Sequence, residues 1–126
     1  MNVVLWIAAI ILALAMLAAG SMKLIRSRDQ LVAAGMSYAE HFPPGLIKLI
    51  GLLEVLAAVG LVVPPLVGIA PVLTPLAATG VALLMIGAII THLRLKDPVA
   101  QAAPAIVLAV LAIFVAWGRF GPYPFT

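Results

Sequence analysis

Apolar residues run through this chain in long unbroken stretches rather than in alternation, and sparse polar residues mark where each stretch stops. No charged side chain occurs in residues 1–22, and the apolar run continues past Lys23 to Ile25. A second run, Leu46 to Val63, carries Lys48 near its start and Glu54 at its centre. Val55 to Leu93 contains no Asp, Glu, Lys or Arg. That is too long for one crossing, since a helix needs about 20 residues to span a bilayer core about 30 Å thick. Pro64-Pro65, Gly68, Pro71 and Thr74-Pro75 punctuate it, so a tight turn after Val63 divides it and a third run starts near Pro71. Pro98 to Gly118 is a fourth uncharged run, with Pro104 in its first turns. Spans are therefore predicted at residues 3–25, 46–63, 71–93 and 98–118. Strands of a membrane barrel would alternate in hydropathy, and these runs do not. The reading is an all-α polytopic membrane protein, one domain forming a four-transmembrane-helix bundle.

The one substantial connection, 26–45, has its own pattern. Ser27 followed by Gln30 reads as a capping box, and Leu31, Gly35, Tyr38 and Phe42 recur at helical spacing. This predicts a short amphipathic segment lying in the interface between helices 1 and 2, ended by Phe42-Pro43-Pro44-Gly45. A solvated loop is the alternative, because Gly35 weakens a helix. Ala13-Leu14-Ala15 resembles a signal-peptide cleavage site, but no basic residue precedes the apolar run, so the first helix is expected to stay.

Composition agrees with the pattern. The 126 residues are 66% hydrophobic and 9% charged, against about 45–50% and about 25% in soluble domains. The absence of Cys removes disulfides, thiolate metal sites and thiol redox chemistry within the chain. A net charge of +3 is too small to suggest a nucleic-acid partner. The few basic residues are placed asymmetrically. Lys23, Arg26, Arg28, Lys48, Arg94 and Lys96 fall at one end of the four spans and Arg119 at the other. The positive-inside rule then puts both connections in the cytoplasm and both termini outside. Trp6, Trp117, Phe120, Tyr123 and Phe125 would form an aromatic belt at that outer interface.

Glu54 is the residue that calls for explanation. It lies eight residues into the second span, about 12 Å deep at 1.5 Å per residue, where a charged group costs about 2.5–3.5 kcal/mol on insertion scales. It must face the bundle interior and find a partner or a proton. Gly51 and Ala58 lie on its helix face and leave room beside it. Lys23, with Ser21 nearby, ends the first span at the same level of the membrane. His92 and Thr91 end the third, followed by Arg94. One polar pocket in the cytoplasmic half could unite them, with Glu54, His92 and Lys23 as candidate catalytic groups and Ser21, Gly51, Ala58, Thr91 and Arg94 as candidate ligand contacts. Taken alone, Lys23 and His92 read as interfacial residues, though an imidazole suits proton exchange with Glu54. Lys48 is 240° around the helix from Glu54 and faces headgroups, and nothing fixes His41 over the pocket. No metal-ligand spacing, triad or phosphate-cradling loop is present. Gly80 and Gly87, with Ala78 and Ala88, supply close-packing surface within the bundle or between copies, so self-association is expected.

Ala19-Gly20-Ser21-Met22-Lys23-Leu24, Phe42-Pro43-Pro44-Gly45, the Lys48–Glu54 opening of the second span, residues 68–75, and Trp117 through Pro122 together resemble the DoxX-like family of small four-helix membrane proteins. The resemblance covers nearly the whole chain, and the Lys23 and Glu54 elements in combination carry it best. It implies a four-helix fold in a bacterial inner (plasma) membrane. It also implies work beside redox partner proteins, since relatives include a thiosulfate:quinone oxidoreductase small-subunit type and associates of superoxide-handling and sulfur-transfer proteins. A likeness to sterol isomerases is one of fold alone. Two readings follow. In one, the bundle binds a hydrophobic small molecule (a lipid, quinone or similar) around Glu54, as a subunit of a redox system or an isomerase-like enzyme. In the other, it is a non-catalytic scaffold in which Glu54 only locks helices together. The sequence names no cofactor and no reaction.

Overall fold

The computed structural model describes residues 1–33 and 42–124. Four long helices, α1 (Asn2–Ile25), α3 (Pro44–Val67), α4 (Leu73–Arg94) and α5 (Val99–Phe120), are joined by tight turns and by a short helix α2 (Arg28–Ala33). No strand occurs among the described residues. The long helices have 24, 24, 22 and 22 residues, or roughly 33–36 Å at 1.5 Å per residue. Each is long and apolar enough to cross a bilayer. α1 packs on α3 and α5, and α4 packs on the same two, so the bundle closes as a ring in the order α1, α3, α4, α5.

The core is built largely from small side chains. Leu5, Leu12, Met16, Leu61, Val81 and Val115 are fully enclosed, and between them lie Ala8, Ala9, Ala13, Ala58, Ala78, Ala105, Ala109 and Ala112. Lipid tails are as apolar as Leu, so close van der Waals packing rather than water exclusion holds such helices together, and alanines allow it. The large aliphatic side chains point outward instead: Val3, Ile7, Ile11, Leu14, Leu56, Leu83, Val107 and Val110 are all more than half or nearly half exposed. That surface is the lipid-facing one.

The second span is longer than its prolines predict. α3 does not stop at Val63; it carries Pro64 and Pro65 within it and ends at Gly68, whose φ of 70° gives the left-handed cap that favours glycine. Prolines at 64 and 65 cannot donate the backbone hydrogen bonds that would reach the carbonyls of Gly60 and Leu61. Thr74, the second residue of α4 and fully buried, fills the gap. Its hydroxyl lies 3.2 Å from the Gly60 carbonyl oxygen and 3.1 Å from that of Leu61. A polar side chain from the neighbouring helix thus satisfies backbone groups that hydrocarbon could not.

In the first connection the capping box forms as expected. Ser27 N–H donates to Gln30 Oε1 at 3.0 Å, and Gln30 N–H donates to Ser27 Oγ at 3.3 Å. α2 is short, and its Leu31 is buried with Ile47 against Met22, Val32 and Phe42. Gly35, Tyr38 and His41 lie outside the described residues.

Candidate functional site

The site begins with two glycines. Gly20 on α1 and Gly51 on α3 face each other so closely that a Cβ on Gly20 would stand 2.6 Å from the Gly51 carbonyl oxygen. A Cβ on Gly51 would stand 2.8 Å from both the Gly20 carbonyl oxygen and Lys23 Cβ. Residues three apart share a helix face, so this backbone contact brings Lys23 and Glu54 together. Lys23 Nζ lies 2.7 Å from Glu54 Oε1. Both side chains are buried, at 7% and 1% exposure. Lys23 therefore turns inward rather than anchoring at the surface. Lys48 takes a different role: its Nζ donates to the Leu24 carbonyl at 3.1 Å, capping the end of α1.

The ion pair forms one wall of a cavity of about 250 Å³. Phe42, Ile50, Leu83, Leu84, Met85, Gly87, Ala88 and Thr91 line the rest. The second carboxylate oxygen, Glu54 Oε2, is buried and has no hydrogen-bond partner among the described residues. An ionised carboxylate is an acceptor only, so this oxygen calls for a donor. Thr91 donates its hydroxyl proton to the Gly87 carbonyl at 2.8 Å. Its oxygen keeps acceptor capacity.

Of the residues expected to meet here, the structure unites Lys23, Glu54 and Thr91 around the cavity, with Gly51 providing the close helix approach. His92 does not join them. It is buried, but its Nδ1 meets Asp97 Oδ2 at 2.8 Å in the α4–α5 turn, five residues along. Ser21 and Arg94 do not line the cavity, and Ala58 sits in the bundle core. Gly80 and Gly87 serve as open ground rather than as contact surface within the bundle, because a Cβ at either would meet nothing within 4 Å. No cluster of His, Asp and Glu among the described residues is placed to hold a metal ion.

A second polar contact ties the opposite end of the bundle. Arg119, 4% exposed, donates from Nη1 to Asn2 Oδ1 at 2.7 Å and to the Tyr123 carbonyl at 3.0 Å. From the sequence, Arg119 stood only as the odd charge at that end, and its burial was not expected. One signal was available in Gly118, where a Cβ would collide with Leu5, so α5 closes tightly on α1 there. Trp117 stacks on Phe114 at 6.0 Å and meets Tyr123 edge-on at 6.1 Å, consistent with an aromatic grouping at this end.

The family model of the DoxX-like family matches residues 7–115. The chain belongs to the DoxX-like family. The matched stretch takes in both glycines, the Lys23–Glu54 pair and every residue lining the cavity. No curated protein and no solved structure gives a significant match. For this DoxX-like chain the family supports the membrane bundle, and the chemistry has to be argued from the site itself.

Proposed function

We propose that this DoxX-like protein binds a hydrophobic small molecule in the cavity beside the Lys23–Glu54 pair. One observation carries the reading: a buried carboxylate oxygen, without a donor among the described residues, on the wall of a largely apolar space. A pair placed only to hold two helices together gains from having every lone pair satisfied, because a buried unsatisfied polar group costs about 1–3 kcal/mol. Lys23 neutralises the charge, and the open oxygen supplies the polar recognition. The basic end of the bundle faces the cytoplasm, following the distribution of Lys and Arg, so the cavity lies in that half of the membrane. Without cysteine, a redox role for this chain would run through such a ligand and through partner proteins.

The scaffold reading has one observation in its favour, the direct α1–α3 backbone contact that the pair crowns. A comparison of Glu54→Gln with wild type separates the two. The substitution keeps size and removes charge. Organic extraction and mass spectrometry of the purified proteins should find a stoichiometric apolar compound on wild type and a large loss of it on Glu54→Gln, at equal expression. Equal occupancy, or none in either protein, would favour the scaffold.

A further inference from the structure

Leu83 and Leu84 border the cavity beside the Lys23–Glu54 pair. They also line a second space, a groove of about 770 Å³ along the α3–α4 seam. Its lining side chains are apolar: Leu53, Leu56, Ala57, Gly60 and Pro64 on one side, Leu73, Leu76, Ala77 and Gly80 on the other. The seam closes where Gly60 meets Ala77, a Cβ on Gly60 standing 3.2 Å from Ala77 Cβ, while Gly80 faces open space. One polar acceptor thus stands in a cavity that shares its Leu83–Leu84 border with an apolar groove leading away from the basic end.

We infer that the ligand is a single-chain long alcohol, with its hydroxyl on Glu54 Oε2 and its chain lying in the α3–α4 groove. This rests on the proposed ligand-binding role and names the ligand class. Three arguments select it. Paired with the Lys23 ammonium, Glu54 is taken as ionised and accepts only, so it needs a donor, which a hydroxyl supplies and a ketone or quinone carbonyl does not. Glu54 is ten residues into α3, about 15 Å from its first residue, and a phosphate or other charged headgroup cannot be drawn that deep without losing its hydration. A neutral hydroxyl can. The track also sets a length. Glu54 to Pro64 is about 15 Å along the helix. An extended chain advances about 1.25 Å per carbon, from bonds of about 1.5 Å at about 111°, so roughly 12 carbons fill it.

The test uses tetradecanol carrying a photoactivatable diazirine either beside the hydroxyl or near the far end of the chain. Each probe is added to the full-length protein in phosphatidylcholine nanodiscs, and labelled peptides are mapped by mass spectrometry. The near probe should label the Leu83–Thr91 stretch, and the far probe the Leu73–Ala77 and Gly60–Pro64 stretches. Unlabelled tetradecanol should compete at least roughly tenfold better than tetradecanoate, because a second carboxylate would face Glu54, the difference being about 1.4 kcal/mol. Gly80→Leu, whose side chain enters open space, should suppress far labelling and leave near labelling in place. Near labelling with far labels scattered over the lipid-facing surface would overturn the groove and leave the cavity reading standing. Better competition by tetradecanoate would overturn the alcohol. No labelling of the cavity by either probe, with a different compound extracted from wild type, would overturn the ligand class alone. No labelling and no extracted compound would overturn the ligand-binding role as well.

Discussion

Thr74 offers the sharpest test of how this bundle tolerates two prolines inside a membrane helix. Its hydroxyl lies within 3.2 Å of the two carbonyls that Pro64 and Pro65 leave without backbone donors. Thr74→Val keeps the shape and removes the donor. In hydrocarbon the exposed carbonyls have no water to turn to. A buried acceptor left unsatisfied costs about 1–3 kcal/mol, while polar contacts measured between membrane helices average about 0.6 and reach about 1.7 kcal/mol. The single hydroxyl proton is shared between two acceptors, which places the expected loss at about 1–2 kcal/mol.

A double-mutant cycle isolates the cause. Replacing Pro64 and Pro65 by Ala restores both backbone donors, so the same Thr74→Val change in that background should cost about 0.5 kcal/mol or less. Reversible unfolding in mixed micelles, followed by circular dichroism, gives the four stabilities. Thr74→Ser, which keeps the hydroxyl, should lie closer to wild type than Val does. An equal cost of Thr74→Val in both backgrounds would refute the reasoning, since the threonine would then act by packing alone.

Four further outcomes are expected. Gly20→Ala or Gly51→Ala should lower stability by about 1–3 kcal/mol, the range for overpacking, because the added methyl meets backbone at 2.6–2.8 Å. Gly87→Ala, which meets nothing within 4 Å, should be neutral or up to about 1 kcal/mol stabilising in the same unfolding assay. Removing one member of the buried pair, as in Lys23→Met, should cost about 3–5 kcal/mol, whereas Lys23→Met with Glu54→Leu should recover most of it. A reporter active only in the cytoplasm and fused after Thr126 should stay silent, while the same reporter inserted in the α4–α5 turn should be active.

The fold was legible because a membrane helix writes itself as an uninterrupted apolar run, and four such runs leave few alternatives. Glu54 was legible for the same reason: a carboxyl group in the middle of a span stands out, and Lys23 ending the neighbouring span at the right depth made it a candidate partner. Gly51 on the Glu54 face signalled room for a close approach, and the structure sets Gly20 against it. His92 misled because an imidazole at a helix end suits many roles. The nearby Asp97, five residues on, took it locally, and a short-range partner of that kind wins when the intervening turn brings the chain back. The prolines misled in a different way. Read along the chain they mark a turn, but the hydroxyl that lets α3 continue comes from the next helix. Long-range compensation of a local defect leaves no periodic trace in the sequence.

The same reasoning explains why the open space lies where it does. Along α1 and α3 glycine permits contact because both backbones are drawn together, and the Lys23–Glu54 pair then bridges the crossing. Along α3 and α4 small residues have the opposite effect: Gly60 meets Ala77 at one point, and Gly80 and Gly87 face nothing. Thr74 pins that seam at its far end, where its hydroxyl reaches the carbonyls of α3. Between the pin and the basic end, Leu84 and the outward-facing Leu83 border the open space on the α4 side. Small residues thus pack one seam and hollow out the other. What decides between the two outcomes is whether a polar contact draws the backbones together at that level, as Lys23 and Glu54 do, or only at one end, as Thr74 does.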